Sequence, residues 1–265
     1  MKFLKLITIR NQNKIDSMSK LRIVLVSYIN TIPFIEGIRA SEILKDKVEL
    51  LIDYPAKCAE MIENKEVDGG LIPVGALSGI DGYQVFTDYC IGANGAVESV
   101  ALFSQKPISE VDSIFLDYQS RTSVKLVQVL AQKFWKKDIK FLPTTKGYES
   151  QINDNSAILI IGDRVFEYEH LYKYKLDLAE EWKKHTKMPF AFALWVANDR
   201  LKLIEDELNK VFSESIKNIP QQYSNLLTIS REKFVNYLTQ KIDYNYDTEK
   251  KKAVKLFTSM LNSRS

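Results

Sequence analysis

The sequence predicts an α/β protein built as two lobes around a central cleft, and three observations carry that prediction. Short apolar runs that end in polar residues alternate with amphipathic stretches along the first half of the chain. The alternation stops and restarts once, after "QKPISEVDS". From Arg200 onward the chain turns polar and helical.

"LRIVLVSYIN" (Leu21 to Asn30) has the composition of a buried parallel strand. "TIPFIEGIRASEIL" follows as a helix, with Pro33 in the first turn where its missing N–H costs nothing. "VELLIDYP" is the next strand, and a helix is expected from Pro55 to Asn64. "VDGGLIPVGAL" supplies a third strand and a turn, and "YQVFTDYCIGANGAVESVALFS" two extended segments divided by a glycine-containing loop. This order, βαβαβ, implies a parallel sheet.

After the restart, "IFLD" is a strand and Thr122 to Lys136 a helix, with Val127, Leu130 and Phe134 on one face. "IKFLP" and "SAILIIGD" are further strands, and "REKFVNYLTQKI" and "EKKKAVKLFTSML" are amphipathic helices. The run Lys250-Lys251-Lys252 is expected on a solvated helix face. Extended crossings near "ALFSQKP" and "AFALWVAND" make the second unit an insertion into the first. The expected division is 21–104 with 197–265 as one lobe and 105–196 as the other, preceded by a disordered extension, 1–20.

Composition removes several function classes. The 265 residues carry 37 basic and 34 acidic side chains, so the net charge of +3 gives no electrostatic case for nucleic acid. Two cysteines, Cys58 and Cys90, form neither a disulfide framework nor a metal-ligand spacing. With only two histidines, His170 and His185, no histidine zinc site is expected, so no metal and no cofactor are predicted. No apolar run approaches the roughly 20 residues that span a bilayer. The leader is too polar after Ile9 for an export signal, Met18 is an alternative start, and a cytoplasmic protein without membrane partners is expected.

In open α/β sheets, ligands bind beyond the carboxyl ends of the strands. Three such ends carry polar turns here: "SYINTIP" with Ser27 and Asn30, "LDYQSRTS", and "IIGDRV" with Asp163. Ser120, Arg121, Thr122 and Ser123 stand where a helix begins, and a helix N-terminus offers unpaired N–H groups to an anion. One capping serine would explain one of these residues, but four donors exceed what a cap requires. Arg121 is either a fork for a carboxylate or the partner of a nearby acid such as Asp117. Asp163 is either a ligand contact or a plain turn and N-cap. "MPFAFALW" is expected to be mostly core.

These segments, taken in order, resemble a known family. "SYINTIPF", "VDGGLIPV", "GAVESVALFS", "LDYQSRTSVKL", "IGDRVF" and "DLAEEWKKHTKMPFAFALW" are similar to the chorismate dehydratases of menaquinone biosynthesis by the futalosine route. The tail "YLTQKIDYNYDTEKKKAVKLF" extends the resemblance to the C-terminal helices. The resemblance implies a bilobed, type II periplasmic-binding-protein-like fold used as a hydro-lyase. Chorismate would lose water to give 3-[(1-carboxyvinyl)oxy]benzoate. It places Asn30 and Ser99 closest to the chemistry, and the Ser120 to Ser123 turn at a substrate carboxylate. Ser27 and Asp163 are the remaining expected substrate contacts.

A sister family, the 1,4-dihydroxy-6-naphthoate synthases, carries a histidine just after the third strand, where this chain reads "VDGGLIPVGAL". A non-catalytic aromatic-acid binding protein is the other alternative. Gly69-Gly70, where the dehydratases usually have a bulkier pair, and the 20-residue leader are departures away from the residues assigned to chemistry. The motifs offer no histidine base and no cysteine placed as a nucleophile. The enolpyruvyl carboxylate of the substrate is therefore the expected base, with Asp163 the nearest alternative.

Overall fold

A computed structural model describes residues 19–150 and 155–262. The leader expected to be disordered lies outside these residues apart from Ser19 and Lys20. Two sheets organise the described residues. The first has six strands in the order β11-β4-β10-β3-β1-β2. They are β1 (Leu21–Val26), β2 (Val48–Asp53), β3 (Gly69–Pro73), β4 (Gln84–Ala93), β10 (Phe190–Ala197) and β11 (Asp243–Asn245). The second has five, in the order β7-β6-β8-β5-β9. These are β5 (Val100–Ser104), β6 (Ser113–Leu116), β7 (Lys140–Pro143), β8 (Ser156–Ile161) and β9 (Tyr174–Asp177).

The parallel sheet expected from the alternation is only half of each sheet. β1 pairs in parallel with β2 and β3, whereas β10 runs antiparallel to both β3 and β4. β6 is likewise parallel to β7 and β8, and β5 antiparallel to β8 and β9. The crossings also fall earlier than expected. "VALFS" belongs to the second sheet and "FAFALWVA" to the first, so the chain changes lobe at 94–99 and 187–189 rather than after 104 and 196. Both strands are buried throughout, and a strand covered on both faces has no pattern that says which sheet receives it.

Eight α-helices lie among the described residues: α1 (Ile32–Ala40), α2 (Pro55–Glu63), α3 (Thr122–Val129), α4 (Arg164–Tyr168), α5 (Leu178–Thr186), α6 (Glu205–Lys217), α7 (Arg231–Asn236) and α8 (Thr248–Asn262). Pro33 and Pro55 stand in the first turns of α1 and α2. The helix expected from Thr122 to Lys136 changes to a π-type turn at Leu130–Trp135 and stops at Lys136 with φ of 51°. A second π-type turn, Tyr237–Lys241, extends α7. No helix among the described residues is long and apolar enough to cross a membrane.

The lysine run at the start of α8 is only partly solvated. Lys251 and Lys252 are exposed, but Lys250 is 0% exposed and lies on the helix face that also buries Ala253 and Phe257. Its ammonium pairs with Asp243 and Asp247, which replaces the lost hydration with charged partners. α8 is thereby fastened to β11, the edge strand beside β4.

Candidate functional site

The polar turns meet in a narrow cleft between the two sheets, with about 60 Å³ of free internal space. Asn30 and Thr31 from the turn after β1 line it, as do Ser99 before β5 and Ser120, Thr122 and Ser123 at the start of α3. The remaining wall is mainly apolar, and among the described residues no Lys, Arg, Asp, Glu or His side chain is part of it. Hydroxyls and an amide supply its side-chain polarity. In a mainly apolar space such donors act more strongly than they would in water.

Each donor is held by its own local chemistry. Asn30 lies in a 3-10 turn, Ile29–Thr31. The Thr31 hydroxyl closes that turn on the carbonyls of Val26 and Tyr28, at 2.5 and 2.8 Å. Tyr244 donates to the Asn30 carbonyl at 3.0 Å. Ser99 follows Glu98, whose φ of 65° turns the chain sharply. The Asp177 carboxylate accepts the Glu98 N–H at 2.7 Å and also caps α5 by accepting from Ala179 and Glu180. One side chain therefore starts a helix and shapes the turn that presents Ser99.

The four donors at the start of α3 divide their work. Ser120 Oγ accepts the Ser123 N–H at 2.9 Å and serves as a cap. The Thr122 hydroxyl donates to the Phe192 carbonyl at 2.9 Å and accepts the Gly75 N–H at 3.0 Å, both across the inter-lobe boundary. Arg121 does not line the cleft. It pairs with Glu63 of α2, neither with a ligand position nor with Asp117, which is claimed by Arg164. Ser123 alone brings its hydroxyl to the cavity without a hydrogen-bond partner among the described residues.

Ser27 is exposed and stands outside the cavity wall. Asp163 lies behind that wall, with both carboxylate oxygens 3.1 Å from the Ile29 N–H. Burial pushes its carboxyl up to about 7, against the opposing pull of that N–H. Its neighbour Gly162 lines the cleft with φ of 67°, and a Cβ there would come 2.6 Å from the Tyr28 ring. Glycine is required on both counts.

Three residues of the site escaped the sequence reading. Tyr28 covers part of the cleft, and its phenol donates to Gln119 Oε1 at 2.6 Å across the lobes. Phe192 lines the wall from the segment expected to be core. Tyr237, which belongs to the π-type turn near the C-terminus, donates to Ser99 Oγ at 2.7 Å and accepts from Asn30 Nδ2 at 3.3 Å. Tyr28 stands inside a quoted polar turn and was legible there, whereas Phe192 sits within a buried strand whose residues all read as core. Nothing near Tyr237 in sequence signals its contact.

Two mixed sheets joined by paired crossings, with a small-molecule cleft between them, define a type II periplasmic-binding-protein-like protein. Solved structures agree with that class. The protein AF1704 from Archaeoglobus fulgidus superposes with a TM-score of 0.74 at 16% identity, covering 92% of this chain and 97% of its own. The alkanesulfonate-binding protein SsuA from Xanthomonas axonopodis pv. citri, bound to MOPS, has a TM-score of 0.65 at 10% identity and 93% coverage of both chains. A gene product of Candida albicans described as having the generic periplasmic binding protein fold gives 0.64 at 11% identity, covering 93% of this chain and 95% of its own. A family model described as menaquinone biosynthesis matches residues 21–263. The chain belongs to that menaquinone-biosynthesis family.

Proposed function

We propose that this protein is a chorismate dehydratase, a hydro-lyase that forms 3-[(1-carboxyvinyl)oxy]benzoate and water at the futalosine-route entry to menaquinone. One observation carries the reading: Asn30 and Ser99, from opposite lobes, line one cleft whose wall has hydrogen-bond donors but, among the described residues, no basic side chain. Family membership supplies the pathway.

Dehydration removes the C3 proton and the C4 hydroxyl of chorismate, and the ring becomes aromatic. The step is downhill, so the barrier lies in taking the proton and releasing hydroxide. Asp163 is set back from the cavity wall with its oxygens on the Ile29 N–H, a poor position for a base. The substrate's enolpyruvyl carboxylate is tethered near C3 and takes the proton intramolecularly. A well-oriented internal group of this kind can supply about 7–11 kcal/mol of assistance. Asn30 and Ser99 orient that carboxylate and hydrogen-bond the departing hydroxyl, while Ser123 and the start of α3 receive the ring carboxylate.

The histidine expected of a naphthoate synthase has no counterpart in the cavity wall, which favours the dehydratase. The test is to incubate purified protein with chorismate and follow the product by absorbance and mass. Appearance of the aromatic ether with loss of one water supports the assignment. Chorismate that binds and is recovered unchanged would instead make this an aromatic-acid binding protein.

A further inference from the structure

We infer that Tyr237 is a positioning residue for the dehydration, holding Asn30 and Ser99 in one hydrogen-bonded chain that obliges the Ser99 hydroxyl to donate into the cavity. The inference rests on the proposed reading of Asn30 and Ser99 as the groups beside the reacting atoms. It adds a residue of the C-terminal tail, to which the resemblance assigns no role in the site.

The direction of the chain follows from proton counting. The Asn30 amide donates to the phenol oxygen at 3.3 Å, and the phenol donates to Ser99 Oγ at 2.7 Å. A phenol carries one proton, so with the amide behind it that proton goes to Ser99. Burial and the nearby Asp163 raise the phenol above its ordinary range, so the proton stays in place at any working pH. The Ser99 oxygen is therefore engaged as an acceptor, and its own proton must point elsewhere. The wall of the cleft is where Ser99 is open. The C4 hydroxyl oxygen and the carboxylates of the substrate are all acceptors, so a serine held as a donor matches what leaves and what must be oriented.

Tyr237 does not itself line the cavity and is only 1% exposed, so it acts through its two partners. Its ring meets Phe166 edge-on at 5.2 Å, which fixes the phenol in the plane of the chain. The residue begins the π-type turn Tyr237–Lys241, a wider turn than its helix provides. The three members come from the first sheet, the approach to the second sheet and the C-terminal helices. Their alignment thus depends on how the two lobes and the C-terminal helices are placed against one another.

A buried tyrosine can also be mere packing, and the test separates the two roles. Tyr237→Phe keeps the ring and removes the chain. The expected result is a folded protein whose kcat falls about 10–100-fold while KM changes less than about 3-fold. Because Tyr237 acts through Ser99, adding Tyr237→Phe to Ser99→Ala should cost little more than Ser99→Ala alone. An unchanged kcat, or full additivity with Ser99→Ala, would overturn the inference. Should Tyr237→Phe fail to fold, difluorotyrosine at 237 preserves shape and hydrogen bonding with a more acidic phenol. It should then introduce an alkaline loss of kcat that the parent protein lacks, and an unaltered pH profile would be equally adverse. A parent protein inert toward chorismate would remove the functional reading and this inference together, whereas an active parent with an indifferent Tyr237→Phe removes the inference alone.

Discussion

Gly75 and Thr122 lock the two lobes together at the mouth of α3. The Gly75 N–H donates to Thr122 Oγ1 at 3.0 Å, and a Cβ at Gly75 would lie 2.6 Å from the carbonyl oxygen of Arg121. Lys125 of α3 adds a hydrogen bond to the Gly75 carbonyl at 2.7 Å. The atoms that an added Cβ would meet are the backbone of Arg121 and Thr122, so no flexible side chain can absorb the methyl group.

Gly75→Ala is expected to push the lobes apart without disrupting either sheet. Affinity for chorismate should fall about tenfold, and the radius of gyration of the free protein should rise in small-angle scattering. Unchanged affinity together with unchanged scattering would mean that the lobes do not depend on this contact.

Thr122→Ala and Ser123→Ala should separate. Thr122 spends its hydroxyl on Phe192 and Gly75, so its loss removes two buried hydrogen bonds and should lower stability by about 1–3 kcal/mol. Ser123 leaves its hydroxyl to the cavity, and its loss should weaken chorismate binding about tenfold with little change in melting temperature. Calorimetric binding and thermal unfolding of both variants provide the comparison. Equal effects on both observables would reverse the division.

Asp163 makes a pH-dependent contribution whose sign is unusual for an acid. Its carboxyl ordinarily titrates at 3.8 and is pushed up to about 7 here by burial. Between these values the folded protein keeps a proton that the unfolded chain has released, so this contribution falls as pH rises from about 4 to 7. Asp163→Asn retains an acceptor for the Ile29 N–H and cannot ionise. It should be more stable than the parent by about 3–5 kcal/mol at pH 8 and nearly equal to it at pH 4. Denaturant unfolding at the two pH values checks this.

The same variant tests the origin of the base. If the enolpyruvyl carboxylate removes the C3 proton, Asp163→Asn keeps most of its single-turnover rate, and a chorismate ester at that carboxylate is inert even when bound. Asn30→Ala and Ser99→Ala each lose about 10²–10³-fold through orientation and leaving-group contacts. An active ester beside a dead, chorismate-binding Asp163→Asn would assign the base to the protein.

Local pattern was enough for much of this molecule. Alternation of apolar and amphipathic segments, prolines in first turns and the donor-rich start of α3 reveal two α/β units and the ends that carry the cleft. These signals depend on backbone period and on neighbours a few residues away, which a sequence displays directly. Tertiary structure alone decided the rest. β5 and β10 read as buried strands, but their sheet depends on partners up to 128 residues away, as in the pairing of Ala197 with Gly69. Arg121 and Thr122 read as ligand donors until Glu63 and Phe192 are brought against them. Lys250 reads as solvated until Asp243 and Asp247 are brought to its buried ammonium. Tyr237 reaches Ser99 across 138 residues. Whether a polar group is free for a ligand depends on which distant partners have already satisfied it, and only the folded chain brings those partners within hydrogen-bonding distance.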